Sequence, residues 1–214
     1  MLHKVTILGE RCSGTNYLEQ LLITNFDIEI TWSRGFKHFF GFCYYINSDD
    51  ILFIGIIRNL TDWINSLYRN PYHLPPNLIE NVDTFLNNEF YSISTDGSEI
   101  MYDRNINTNK RYSNIFELRH VKNKFLVENM PNLVKNYLLI TYDNLIDDFS
   151  GIMNKIKNCN IKVKCNIEFP LNISYYKNNK NKIFEKKQNE ITNEIIIKKA
   201  NLYYEQKLFP KYLS

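Results

Sequence analysis

The segment from Ile7 to Leu22, ILGERCSGTNYLEQLL, places two glycines and two hydroxyl side chains between an apolar run and a helical pattern. The run from Val5 to Leu8 predicts a buried strand, and leucines at positions 18, 21 and 22 predict a helix. The first amides of such a helix lack internal partners, and its dipole places partial positive charge there. Gly14 would let a ligand approach the backbone. The segment therefore predicts an anion site, with an ordinary strand-to-helix connection as the alternative.

A second pair of residues could bind another anionic group. Arg58 directly follows the apolar run from Ile51 to Ile57, and Ser66 lies eight residues later in a predicted helix. A guanidinium offers a rigid fork of donors that suits phosphate, and a hydroxyl adds one more donor. In the alternative interpretation, Arg58 pairs with a carboxylate and Ser66 caps or packs.

Alternating apolar runs and helical patterns predict the elements that position these residues. Strands are predicted at 5–8, 27–32, 51–57 and 137–142, with an edge strand at 161–167. Helices are predicted at 61–68, 82–90, 115–129, 149–156 and 191–208. This alternation favours a parallel sheet with helices on both faces, and such sheets bind ligands at the carboxyl ends of their strands. We therefore predict that residues 9–15, Lys37, His38 and Arg58 cluster at that edge.

Bulk properties restrict the class of protein. The 214 residues fit a single domain, 1–214, and 44% hydrophobic with 23% charged residues is typical of a folded chain. A net charge of +3 is too small for a dedicated nucleic-acid binder. The longest apolar run is too short to span a membrane, and the N-terminus leaves no room for a signal peptide, so a cytoplasmic location is expected. The four cysteines lack CxxC spacing, so neither a zinc site nor a disulfide scaffold is predicted.

Together, residues 10–18 and 58–68 resemble the sulfotransferases that use 3′-phosphoadenylyl sulfate. The family's second motif, R-N-P-x-D-x-x-x-S-x-Y, is matched by RNLTDWINSLY, in which Leu60 replaces proline. A third family element, R-Y-E-D-L after a later strand, is similar to TYDNL at 141–145. The similarity covers roughly residues 5 to 150. It implies a three-layer α/β/α fold with a central parallel sheet, related to the P-loop NTPases.

The resemblance also implies roles for individual residues. The 5′-phosphate would be bound by Ser13, Gly14, Thr15 and Asn16, in a loop that also includes Arg11 and Cys12. The 3′-phosphate would be bound by Arg58 and Ser66, and Tyr17 would lie near the adenine. Many members have a lysine where this chain has Cys12. We therefore predict that Arg11 or Lys37 supplies the missing positive charge to the leaving group.

The candidate catalytic base is His38. The sequence KHFF at 37–40 is similar to the E-x-H-F-F of the heparan-type enzymes, with Phe36 in place of the glutamate. An imidazole can accept a proton near neutral pH, although a lone histidine is often structural. In-line transfer depends on positioning and charge stabilisation, so no metal and no metal ligands are predicted.

The predicted reaction moves a sulfuryl group from 3′-phosphoadenylyl sulfate to a hydroxyl, or to an amine, and releases adenosine 3′,5′-bisphosphate. The acceptor, whether a small molecule, a sugar or a peptide tyrosine, would contact the loops at 70–112. A P-loop kinase or NTPase is an alternative, but the chain lacks G-K-[ST]. A catalytically inactive nucleotide-binding relative is another alternative, because Cys12 is uncharged.

Other charged residues could support the site. Arg119 and Lys122 would either hold the nucleotide or acceptor or lie on a solvated helix face. Asp143 could order the site. Phosphate contacts are also considered for lysines of the Lys/Asn-rich loop at 175–187, namely Lys182, Lys186 and Lys187.

Overall fold

The computed structural model describes residues 1–164, 175–177, 180–182 and 188–210. A parallel sheet forms the centre of the protein. Its strands are β1 (Lys4–Leu8), β2 (Glu29–Ile30), β3 (Ile51–Ile57) and β4 (Tyr137–Thr141). They are ordered β2-β1-β3-β4, and every neighbouring pair is parallel. The predictions for β1, β3 and β4 are confirmed. The predicted strand at 27–32 is reduced to two residues, because β2 pairs only with Lys4 and Val5 of β1.

Helices follow each of the three longer strands. Those of the first half are α1 (Thr15–Asn25), α2 (Leu60–Arg69), α3 (Val82–Asn87) and α4 (Ile115–Lys124). Those of the second half are α5 (Met130–Leu133), α6 (Tyr142–Asp147), α7 (Phe149–Lys157), α8 (Asn193–Lys199) and α9 (Tyr203–Leu208). A π-helical segment, Phe125–Asn129, joins α4 to α5.

The prediction of one continuous helix over 191–208 is wrong. Ala200 has extended backbone angles and ends α8, so the chain turns before α9. The side chain of Asn201 then accepts a hydrogen bond from the amide of Tyr203 at 3.1 Å. This side chain competes with helix continuation, as short polar side chains often do.

Both faces of the sheet are covered by apolar side chains. On one face, Ile7 and Ile54 pack with leucines of α1 and with apolar residues of α7. On the other face, Phe53 and Ile57 pack with Phe125 and the residues that follow it. The chain is therefore an α/β protein with a parallel four-stranded sheet and helices, which is compatible with a three-layer α/β/α arrangement.

The regions predicted as an edge strand and a lysine-rich loop are described only in part. Ile161 and Val163 form isolated bridges, and residues 165–167 lie outside the described residues. Residues 175–177 and 180–182 pair as an antiparallel hairpin, β5 and β6. The phosphate contacts considered for Lys182, Lys186 and Lys187 concern side chains outside the described part of the chain. Within the described ranges, every helix is too short or too polar to cross a membrane.

Candidate functional site

The loops after β1, β3 and β4 meet at the carboxyl edge of the sheet. Gly9 is packed so closely on β3 that an added Cβ would lie 2.6 Å from the carbonyl oxygen of Ile56. Asn59, two residues after the end of β3, donates to Asp143 from its backbone amide at 2.9 Å and from its side chain at 2.6 Å. These contacts link Gly9 to β3, and the residue Asn59 to the first turn of α6 after β4.

The N-terminus of α1 has the geometry of an anion site. Its N-cap is Gly14 at φ 92°, a left-handed conformation that glycine adopts readily, and no side chain caps the helix. The first intrahelical bond runs from the amide of Leu18 to the carbonyl of Gly14. The helix therefore begins with orphan amide donors and partial positive charge, at the edge where parallel sheets bind ligands.

Arg58 lies beside this loop. One of its terminal nitrogens donates to the carbonyl of Cys12 at 3.3 Å, and its guanidinium lies 4.9 Å from the ring centroid of Tyr142. Asp62 is 3.9 Å away, which is a loose ion pair. The Nε of Arg58 is buried and has no hydrogen-bond partner among the described residues. Arg58 therefore has one donor that no described group satisfies, although this nitrogen is not exposed to solvent.

Ser66 of α2 faces Cys12, which lies in the loop between β1 and α1. The Ser66 hydroxyl lies beside the Cys12 thiol, whose sulfur is 3.9 Å from the carbonyl of Asn70. Burial raises the pKa of the Cys12 thiol, while Ser66 and the charges of Arg11 and Arg58 act in the opposite direction. Cys12 therefore stays uncharged at neutral pH. The structure brings Arg58 and Ser66 together around Cys12.

Arg11 is directed away from the N-terminus of α1. Its Nε donates to Glu10 at 2.7 Å, and its terminal nitrogens donate to Ser92 at 2.6 Å and to Asp103 at 2.9 Å. A further bond reaches the carbonyl of Tyr72 at 3.1 Å, and the side chain is 1% exposed. Because its donors are bonded to buried protein groups, this geometry favours Lys37 over Arg11 as the cation of the loop.

Lys37 lies at the first turn of α1. Its ammonium donates to the side chain of Asn16 at 2.5 Å and to Glu19 at 3.0 Å. The same ammonium is 5.3 Å from the ring centroid of Trp32. Lys37 therefore places positive charge near the orphan amides of α1, and the carboxylate of Glu19 offsets part of that charge.

His38 is tethered to the loop through its ring. Its Nδ1 is 2.7 Å from the carbonyl of Gly9. A carbonyl can only accept, so we assign the proton to Nδ1 and a lone pair to Nε2. Burial lowers the pKa of His38 to about 3, although the charge of Glu10 and the bond to Gly9 act in the opposite direction. The ring is therefore neutral at pH 7 with its lone pair on Nε2, and the same burial makes that nitrogen a weak base.

Arg119 and Lys122 do not lie on a solvated helix face. Both are buried: Arg119 pairs with Glu205, and Lys122 bonds to Glu10 and Asp103. Sequence reasoning missed these three acidic partners. Glu10 could have been noticed because it follows a buried strand. Asp103 and Glu205 carry no such signal, since they lie at the end of a three-residue 3₁₀ helix and in the short helix α9.

Comparisons with known proteins do not assign this chain to a family. No model of a protein family matches the chain, and no curated protein matches it significantly in sequence. The interpretation of the site therefore depends on its geometry and on the short motifs at residues 10–18, 58–68 and 141–145.

Proposed function

We propose that this protein is a P-loop-related sulfotransferase that moves the sulfuryl group of 3′-phosphoadenylyl sulfate to a hydroxyl or amine acceptor. The observation that carries the proposal is the pairing of two anion-binding features at one sheet edge. The orphan amides of α1 would bind the 5′-phosphosulfate. Arg58 and Ser66, both beside Cys12, would bind the 3′-phosphate. A nucleotide with phosphates on both ribose positions fits two such sites.

The proposed chemistry is a single in-line displacement. A bond forms between the acceptor oxygen and sulfur while the bond from sulfur to the bridging phosphate oxygen breaks. The acceptor proton passes to Nε2 of His38, and adenosine 3′,5′-bisphosphate leaves. Lys37 would stabilise the negative charge that develops on the bridging oxygen, since its ammonium lies at the first turn of α1.

A second candidate is a relative that binds the nucleotide without transferring the group. Two observations favour it: Cys12 is uncharged where many sulfotransferases have lysine, and Arg11 is engaged in buried contacts. A P-loop kinase or NTPase is less well supported. Such an enzyme needs the lysine of G-K-[ST] directly after the glycine, and this chain has Thr15 after Gly14.

Thermal unfolding with nucleotides tests the binding part of the proposal. Adenosine 3′,5′-bisphosphate should raise Tm, with a stabilisation of about 2.7 kcal/mol at 100 times its Kd, whereas ATP with magnesium should not. Arg58→Ala and Ser66→Ala should each reduce the bisphosphate shift, because each removes a proposed phosphate donor. Lys135→Ala is the matched control, since Lys135 forms an exposed pair with Asp49 before the amino ends of β3 and β4, whereas the candidate site lies at the carboxyl ends. Equal stabilisation by ATP with magnesium would contradict the proposal.

Transfer of labelled sulfate to an acceptor panel tests the catalytic part. The panel should contain phenols, sugars and tyrosine peptides, because the acceptor is not specified by the motifs. Transfer to any of them supports the enzyme. Retained bisphosphate binding without transfer across the panel would support the non-catalytic relative instead.

A further inference from the structure

A buried ammonium connects the two loops that carry the candidate site. Lys122 Nζ, on α4, donates to Glu10 at 2.6 Å, to the backbone carbonyl of His38 at 2.8 Å and to Asp103. An ammonium has three donors, so these acceptors use its full capacity. Glu10 follows β1 and His38 follows β2. One side chain therefore joins the proposed phosphate loop to the loop of the proposed base.

Other bonds join the same two loops. The amide of Gly9 donates to the carbonyl of Lys37 at 3.0 Å, and the ring of His38 donates to the carbonyl of Gly9 at 2.7 Å. The direction of the imidazole depends on its own backbone, and the carbonyl of that residue is held by Lys122. Loss of the bond from Lys122 to the carbonyl of His38 would therefore change the direction of the imidazole ring.

Charge balance determines how this contact can be tested. The cluster contains two cations, Arg11 and Lys122, and two carboxylates, Glu10 and Asp103. Burial opposes the charged form of Glu10, but Lys122 and Arg11 outweigh it and lower the pKa of that carboxyl. Removing Lys122 alone would leave a buried negative charge without a partner, which destabilises any protein. A variant that lacks Lys122 must therefore also lose one carboxylate. The control that loses only that carboxylate carries one excess positive charge, so urea unfolding must first show that both variants fold.

We propose that Lys122 is a positioning residue that holds the imidazole of His38 in place beside the phosphate loop, with Nε2 directed toward the acceptor. Lys122 itself touches no substrate in this scheme. The catalytic meaning of the contact rests on the proposed function, whereas its effect on the ring of His38 is measurable without any turnover.

The test compares Lys122→Met combined with Asp103→Asn against Asp103→Asn alone. Both remove the same carboxylate, but only the double variant loses the donor to the carbonyl of His38. Nitrogen-15 NMR of the histidine rings reports the tautomer, with His38→Gln identifying the signal. We expect the wild type and the single variant to show the Nδ1–H form, and the double variant to show a mixture of tautomers. In an active enzyme, kcat of the double variant should fall by about 10–100-fold while KM for the donor stays within about twofold.

An unchanged ring spectrum in the double variant would overturn the inference, whatever its turnover. Unchanged kcat in an active enzyme would also overturn it. If the double variant does not fold, Lys122→Leu with Asp103→Asn serves the same comparison, because leucine has no donor for the carbonyl of His38. A wild type that binds no bisphosphate and transfers no sulfate would refute the proposed function, and the ring spectrum would still decide the role of Lys122.

Discussion

His38 shows how the surroundings of one side chain restrict its chemistry. The ring bonds through Nδ1 to Gly9, packs edge-on against Phe36 at 5.2 Å between centroids, and lies near the charges of Glu10, Arg11 and Lys37. Burial dominates these influences and lowers the pKa of His38 to about 3. The proposed base is therefore deprotonated throughout the ordinary pH range but only weakly basic, and protonation of His38 would not cause an acid limb near pH 6.

The lowered pKa of His38 predicts a specific pH dependence of stability. Between pH 6.5, the ordinary value, and about 3, the unfolded chain binds this proton and the folded chain does not. The free energy of unfolding should therefore fall as pH decreases through this window. His38→Gln should lack this pH-dependent part of the free energy of unfolding. The difference in free energy of unfolding between wild type and variant should therefore shrink or reverse on acidification. Urea unfolding at several pH values measures it.

His3→Gln is the control for this experiment, because His3 is exposed at the N-terminus. It should follow the wild-type pH dependence. Parallel curves for the wild type and His38→Gln would contradict the lowered pKa of His38. At neutral pH, His38→Gln should also keep bisphosphate binding and lose transfer, since binding and base catalysis use different groups.

At the scale of single elements, the positions of the strands were predicted more accurately than the burial and ion pairs of the charged residues around the site. The seven residues of β3 are all buried, so an unbroken apolar run was enough to place the strand from Ile51 to Ile57. Parallel pairing then brought Gly9, His38 and Arg58 to one edge, as topology predicts. The burial of Lys122 could not be read from helical spacing, because its partner Glu10 lies 112 positions away. Long-range ion pairs leave no local signal.

The loop between β1 and α1 gives a prediction at the same scale. In Gly14→Ala, a Cβ would lie 2.2 Å from the ring of Tyr142, at a residue with φ 92°. We expect this variant to lose bisphosphate binding, because the loop or the ring must move. Gly97→Ala is a matched control, with φ 85° and nothing within 4 Å of the added Cβ. It should cost only about 1–2 kcal/mol of stability and leave binding unchanged.

Titration with adenosine 3′,5′-bisphosphate, after unfolding curves have shown that both variants fold, measures this difference. Similar Kd values for Gly14→Ala and the wild type would show that the close approach of Tyr142 to the loop does not matter for binding. That result would remove the loop from the proposed phosphate site.

At the scale of the whole molecule, residues 188–210 contact the elements that carry the candidate site. The segment after residue 187 lies on α2, where the buried side chain of Asn65 accepts from the amides of Glu190 and Ile191. Further along, Glu205 of α9 forms a bidentate pair with Arg119 at 2.7 and 2.9 Å. The same guanidinium donates to the backbone carbonyl of Arg58 at 2.8 Å. The end of β3 is therefore connected to the last helix of the described chain.

This connection predicts that stability and binding can be separated at Arg119. Glu205→Ala leaves a buried guanidinium without its carboxylate, so unfolding in urea should show a loss of about 3–5 kcal/mol. Glu194→Ala is the control, because its pair with Lys198 is exposed and worth less than about 1 kcal/mol. Replacing both partners, as Arg119→Leu with Glu205→Met, should recover much of the lost stability, since no buried charge remains unpaired.

Bisphosphate binding should not recover in that double variant, because the carbonyl of Arg58 has lost its donor and the guanidinium beside Cys12 is less firmly held. Calorimetric titration of the two variants and the control at equal folded fraction measures this. If the double variant regains both stability and wild-type affinity, Arg119 serves only to close the C-terminal helix onto α4. If it regains stability alone, the last helix contributes to the phosphate site through the backbone of Arg58.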